Sequence, residues 1–222
     1  MEITEKIPIF PLGVVLLPEM ILPLHIFEER YKKMIAECLD SGKGFGVVLY
    51  DGSEIKNSGC LAKITEVTRK YADGRLDILT RGTERFKILD IDESKPYLQA
   101  EISYYTDEDY EDSSVSHEKY QEAIEMLKQI AEITRHNPNL FSDKDFSARQ
   151  LSFIIASIEG FTLEEKQEFL EMQSTARRLS KGIEALDKLI ERIKINEEIK
   201  KIIGGNGHLP ELLDPPPSSD AI

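Results

Sequence analysis

A chain of 222 residues, 41% hydrophobic and 31% charged, is long enough to bury a proper core, as one large domain or two small ones. The net charge of −13 is uneven: residues 1–105 carry 17 acidic and 14 basic side chains, residues 106–222 carry 24 and 14. The second half would repel a polyanion, which argues against nonspecific nucleic-acid binding and against an anionic membrane surface. Two cysteines, Cys38 and Cys60, are too few for a disulfide framework; Cys38 falls on the apolar face of an expected helix and reads as a buried free thiol, which suits a cytoplasmic protein. The first residues, MEITEKIPIF, lack the basic and long apolar regions of a secretory signal, and no uninterrupted apolar run is long enough to span a bilayer.

The most apolar stretch is residues 7–31, IPIFPLGVVLLPEMILPLHIFEERY. Prolines at 8, 11, 18 and 23 exclude a continuous helix, because each removes a donor and fixes φ. Short buried β segments are expected at 7–10, 14–17 and 21–26, with Gly13 turning between the first two. Tyr31, Met34, Ile35, Cys38 and Leu39 then recur at helical spacing, so a helix is expected from Glu28 to Leu39, ending before Gly42. Residues 44–50, GFGVVLY, form a compact apolar strand. A half-buried strand follows at 60–71, and Asp73-Gly74 is the strongest hairpin signal in the chain. Strands are expected at 75–80, broken by Gly82, and then at 85–91 and 97–104. Many short strands with one early helix indicate a closed or partly closed antiparallel barrel over residues 1–105.

Residues 106–116, TDEDYEDSSVS, show no periodicity and read as a solvated acidic linker. Helical periods follow over 117–203. Tyr120, Ile124, Leu127, Ala131 and Thr134 form a first stripe, ended by Asn137-Pro138. Leu151, Ile154, Ile155 and Ile158 form a second, with Gly160 as its stop. Thr162 and Glu165 make a capping box for a third helix. Ala176, Leu179, Ile183, Leu186, Ile190 and Ile193 make a narrow seam in a fourth. That seam suits packing within a helical bundle or pairing between two chains, so a monomer and a dimer both remain open. Residues 204–222 read as a flexible tail.

Catalytic chemistry needs polar groups that can share one reacting atom. His25, His117, His136 and His208 are scattered, with no Cys or His at metal-ligand spacing. No serine sits in a GxSxG elbow, and Gly42-Lys43-Gly44 lacks the rest of a phosphate loop. No catalytic, cofactor-binding or metal-binding residue is therefore expected. Arg69, Lys70, Arg75, Arg81, Arg85 and Lys87 form the only basic cluster, either a charge-balanced strand face or an RNA contact. The turn LLPEMI brings Leu16, Leu17, Met20 and Ile21 together, either folded into the core or as an apolar patch for peptides.

The 7–31 stretch resembles the opening signature of the Lon protease N-terminal, substrate-recognition domain. GFGVVLY at 44–50, GCLAKITEVTRKYADGRLDILTRGTERFKI at 59–88, YLQAEISYY at 97–105 and LEEKQEFL at 163–170 follow in the family's order. The resemblance implies an α+β fold, a PUA-like antiparallel β-barrel with one early helix followed by a C-terminal helical bundle. It also implies a non-catalytic module for polypeptide clients, without Lon's ATPase or Ser–Lys protease. An RNA- or nucleotide-binding PUA-like barrel is the alternative.

Overall fold

The computed structural model describes residues 4–108, 115–134, 136, 146–158 and 160–205, with only the backbone described at 197 and 200–205. Asn137, Pro138, Gly207, His208 and residues 109–114 of the expected linker lie outside the described residues. Six strands and five helices follow in the order β1 (Thr4–Leu12), β2 (Ile21–Ile26), α1 (Glu29–Ser41), β3 (Phe45–Tyr50), β4 (Ile55–Lys70), β5 (Leu76–Asp92), β6 (Gln99–Tyr105), α2 (His117–Ile133), α3 (Ala148–Ser157), α4 (Leu163–Glu171) and α5 (Thr175–Gly205). The strands form one sheet in the order β2-β5-β4-β3-β1-β6, and β5 also pairs with β6, so five of them close a circuit. Outside the circuit, β2 is attached only along β5.

The wholly antiparallel arrangement expected from the sequence is corrected at one place: β1 and β3 run parallel, Ile9 opposite Gly46 through Leu12 opposite Leu49. A parallel pair needs a crossover of a dozen or more residues, and β2 with α1 provides it. The sheet is therefore mixed. β1 carries two prolines, which central strands normally exclude. It tolerates them because it changes partner midway: Thr4–Pro8 pairs β6, and residues 9–12 pair β3. Each proline thus has a strand partner on one side only, and the two halves overlap at Ile9, whose N–H donates to Leu98 O at 2.9 Å.

The expected segment at 14–17 is a loop, and the expected break at Gly82 is absent. β5 runs continuously through 17 residues because Gly82 has a packing role. A Cβ there would lie 2.2 Å from the Leu17 carbonyl oxygen. The loop enters that gap, Glu19 N donates to Gly82 O at 2.9 Å, and Gly82 N donates to Met20 O at 2.9 Å. Leu17 to Met20 closes a turn with Pro18 second and Glu19 third, at φ 70°. That angle favours glycine, and a non-glycine residue there costs on the order of 1 kcal/mol.

Other turns follow the sequence. α1 ends at Gly42 with φ 67°, Gly74 turns the β4–β5 hairpin with φ 83°, and Thr162 with Glu165 forms a complete capping box on α4. A main core collects Leu16, Leu17, Met34, Ile35, Phe45 and Val47 with Phe153 of α3 and Phe169 of α4. Helix residues thus share the core of the strands. A second core lies among α2, α3 and α5, around Leu127, Leu151, Ile155, Leu179 and Leu186. Gly204 and Gly205 are the last two residues of α5; the rest of the expected tail lies outside the described residues.

Gly82→Ala tests the close crossing. The obstructing atom is backbone, so the loop must shift, at a cost of about 2 kcal/mol or more. For a chain of this size the melting temperature should fall by roughly 4–8 °C. An unchanged melting temperature would show that the loop does not sit against β5 at this point.

Candidate functional site

Two clusters of polar groups among the described residues bear on the question of chemistry. The first is on the surface of β2, β4 and β5. Asp77 accepts from the Tyr71 hydroxyl at 2.8 Å, and its other oxygen lies 2.5 Å from Nδ1 of His25. The His25 ring stacks beside Phe27 with centroids 6.0 Å apart and meets Tyr71 edge-on at 5.8 Å. The His25 and then the Tyr71 hydrogen bond hold the Asp77 carboxyl below the usual carboxylate range. A carboxylate–imidazole pair is part of a hydrolytic triad, but the nucleophile must reach the imidazole. No hydroxyl or thiol of a described Ser, Thr or Cys contacts His25 here. Burial pushes the thiols of Cys38 and Cys60 up to about 11 and about 12, so neither supplies a thiolate near neutral pH. Among the described residues no group of three His, Cys, Asp or Glu could hold a metal ion.

The basic cluster is divided. Arg75 pairs Asp73, Arg81 pairs Glu19, and Arg69 lies 4.7 Å over the Tyr71 ring. Arg85 points inward and forms the second polar site. It is fully buried, as is Arg178 of α5, and both bind Asp107. Arg85 Nη1 donates to the carbonyls of Leu170 and Met172, while Arg178 Nε donates to Ser152 Oγ at 2.8 Å. Thr175 Oγ1 donates to Asp107 Oδ2 at 2.5 Å. Both guanidiniums also lie over the Phe153 ring, Arg178 at 3.9 Å and Arg85 at 5.2 Å from its centroid. Burial alone would raise the Asp107 carboxyl. The hydrogen bond and charge of Arg178, then Thr175 and Arg85, outweigh it and hold the group at about 2. This cluster ties β5 to α3, α4 and α5. Its acceptor sits in the run that composition assigned to solvent, and nothing in the local pattern marks Asp107 apart from its acidic neighbours.

The four residues of the LLPEMI turn separate. Leu16 and Leu17 are buried in the main core, Leu17 with no exposed surface. Met20 is partly buried against that core, and Ile21 is 51% exposed. The apolar patch therefore does not comprise the four together. Strand alternation places Ile21, Pro23 and His25 on one face, and Phe27, just past the end of the strand and stacked beside His25, is 59% exposed. The sequence offered a signal for this face, three outward positions at period two, but the apolar residues between them conceal it.

The fold defines an α+β domain with a mixed six-stranded sheet, and comparison with known proteins gives it a family. The chain belongs to the ATP-dependent protease La (LON) substrate-binding domain family, whose sequence model matches residues 6–188. It is 25% identical over 217 residues to the Lon protease of Flavobacterium johnsoniae and 27% identical over 220 residues to that of Anaeromyxobacter dehalogenans. These alignments cover 90% and 92% of the chain but 26% of each relative, so the chain spans about a quarter of their length. A Lon N-terminal domain protein from Xanthomonas campestris has the same fold, with a TM-score of 0.64 at 24% identity over 80% of this chain and 96% of that one. The N-terminal domain of Mycobacterium avium complex Lon protease gives 0.62 at 18% identity over 82% and 98%. No helix among the described residues is long and apolar enough to cross a membrane.

Asp107→Asn removes the one carboxylate between two buried cations, which should destabilise the protein by about 3–5 kcal/mol. The folded carboxyl titrates at about 2, below the usual unfolded value near 4. Its contribution is thus complete above that unfolded value and is lost as pH falls towards the folded one. Urea unfolding of both proteins should show a stability gap that is constant from pH 7 to about 4 and narrows between about 4 and 2. A gap that persists unchanged at pH 2 would contradict the ion cluster.

Proposed function

We propose that this protein is a non-catalytic polypeptide-recognition module that takes up exposed apolar segments of unfolded client proteins and acts as an adaptor for them. The single observation that carries the reading is the outward face of β2. An edge strand of a substrate-binding domain presents Ile21, and Phe27 follows at its end beside the stacked His25 ring, both more than half exposed. Large apolar side chains grouped on a surface mark contact sites. The closed circuit of five strands is the PUA-like barrel, and α2 to α5 are the helical bundle that supports it from one side. Domain boundaries near residues 105 and 117, a cytoplasmic location and a choice between monomer and dimer through α5 complete the proposal. An RNA contact has less support, because Arg75 and Arg81 of the basic cluster are already paired and Arg85 is buried.

The test uses reduced, carboxymethylated α-lactalbumin, a chain that stays unfolded, as the client. Ile21→Asp with Phe27→Asp should weaken its binding at least about tenfold, as expected for two apolar contacts. The melting temperature should stay near that of the parent because both side chains are exposed. Leu17→Asp, by contrast, should unfold the protein. Equal client binding by the parent and the double variant would overturn this placement of the site, and no binding by the parent would overturn the function.

A further inference from the structure

The direction of the backbone groups along β2 follows from four observations. Pro23 pairs with Leu79 and has no N–H, so this is not a mutually hydrogen-bonded pair. Leu79 turns its carbonyl to the other neighbour, accepting from Thr65 Oγ1 of β4 at 3.1 Å, and Asp77 does the same with Thr68 Oγ1 at 3.1 Å. Leu22 turns its carbonyl towards β5, accepting from Thr80 Oγ1 at 2.8 Å. Met20 and Gly82 extend the same phase by the Gly82 N to Met20 O bond. Even-numbered residues of β2 therefore face β5. Ile21, Pro23 and His25 turn their backbone polar groups the other way, where no strand lies among the described residues.

We infer that this edge is a strand-addition site, at which an extended segment of an unfolded polypeptide pairs with β2 by main-chain hydrogen bonds. The inference rests on the polypeptide-binding reading and specifies how the client is held. Ile21 and His25 each offer a donor and an acceptor, and Pro23 offers an acceptor only. That spacing is matched by another β-strand whatever its sequence, which suits a binder of varied clients. Pro23 also limits the edge. It leaves one position unable to donate, which disfavours unlimited sheet growth between copies. Side-chain selection comes from the exposed face, where Ile21, Pro23 and Phe27 would lie beside alternate residues of the bound segment. Clients with apolar residues at every second position are thus preferred. The Asp77–His25 bond and the His25–Phe27 stack fix this face before binding, which reduces the ordering cost.

The experiment again uses reduced, carboxymethylated α-lactalbumin with the full chain. Amide hydrogen exchange, read residue by residue by NMR, should slow at Ile21 and His25 when the probe saturates the protein. Two variants separate main chain from side chain. His25→Ala and His25→Pro both remove the imidazole, but only the second removes the outward N–H, at a phase where Pro23 shows that proline is accommodated. The proline variant should bind the probe about fivefold more weakly than the alanine variant, as for one hydrogen bond. Probe binding with unchanged exchange at Ile21 and His25 overturns strand addition and leaves the polypeptide-binding reading standing. No probe binding overturns both. Slowed exchange without probe that grows with protein concentration would assign the edge to a second copy of this chain, and also overturns the inference. Should the proline variant not fold, the exchange measurement on the unaltered chain decides alone.

Discussion

A missing methyl group at residue 82 sets the relation between the buried and exposed apolar parts of this protein. The loop between β1 and β2 crosses β5 at Gly82, and the Leu17 carbonyl occupies the space a side chain would fill. On one side of that crossing Leu16 and Leu17 enter the core. On the other, the reciprocal hydrogen bonds between 19–20 and Gly82 fix the phase of β2 along β5. A shift of one residue would exchange the two faces of β2, putting Leu22 and Leu24 in water and Ile21 and Pro23 inside. One close contact thus settles which apolar side chains hold the fold together and which remain available to a partner.

Strands and helices are joined by buried ions as well as by the shared apolar core. Arg85 and Arg178 would each carry a large desolvation cost alone. Asp107 neutralises part of it, and the carbonyls of Leu170 and Met172 with Ser152 use much of the remaining hydrogen-bonding capacity. Because these partners come from β5, the segment after β6 and three helices, the strands and helices are joined at a point where geometry is demanding. Such a joint contributes less to net stability than to fixing one arrangement, and it carries no exposed functional group.

Much of this was legible in the sequence. Period changes marked α1 and the later helices. Glycines at 42 and 74 marked their turns, and the Thr162–Glu165 spacing marked its capping box. The order of motifs marked the family. What was hidden was non-local. Gly82 looked like a break because a glycine within a strand pattern signals either a turn or a close approach, and only the opposing chain distinguishes them. The parallel pairing of β1 with β3 depends on a crossover, which no local pattern specifies. Asp107 lay among acids that composition assigns to solvent. The candidate site was half legible: the 16–21 turn marked an apolar segment near the surface, but burial of Leu16 and Leu17 and exposure of Ile21 depend on which side of β5 each residue falls. Phe27 belongs to the signature stretch but stands outside the core.

The proposed recognition surface is the outer face and edge of β2, and the most direct measurement places a reporter on it. A chain carrying benzoylphenylalanine in place of Phe27, mixed with reduced, carboxymethylated α-lactalbumin and irradiated, should cross-link to the client, whereas a chain carrying it in place of Ile199, exposed on α5, should not. Cross-links from α5 with none from position 27 would show that clients meet the helices and that β2 is not the recognition element.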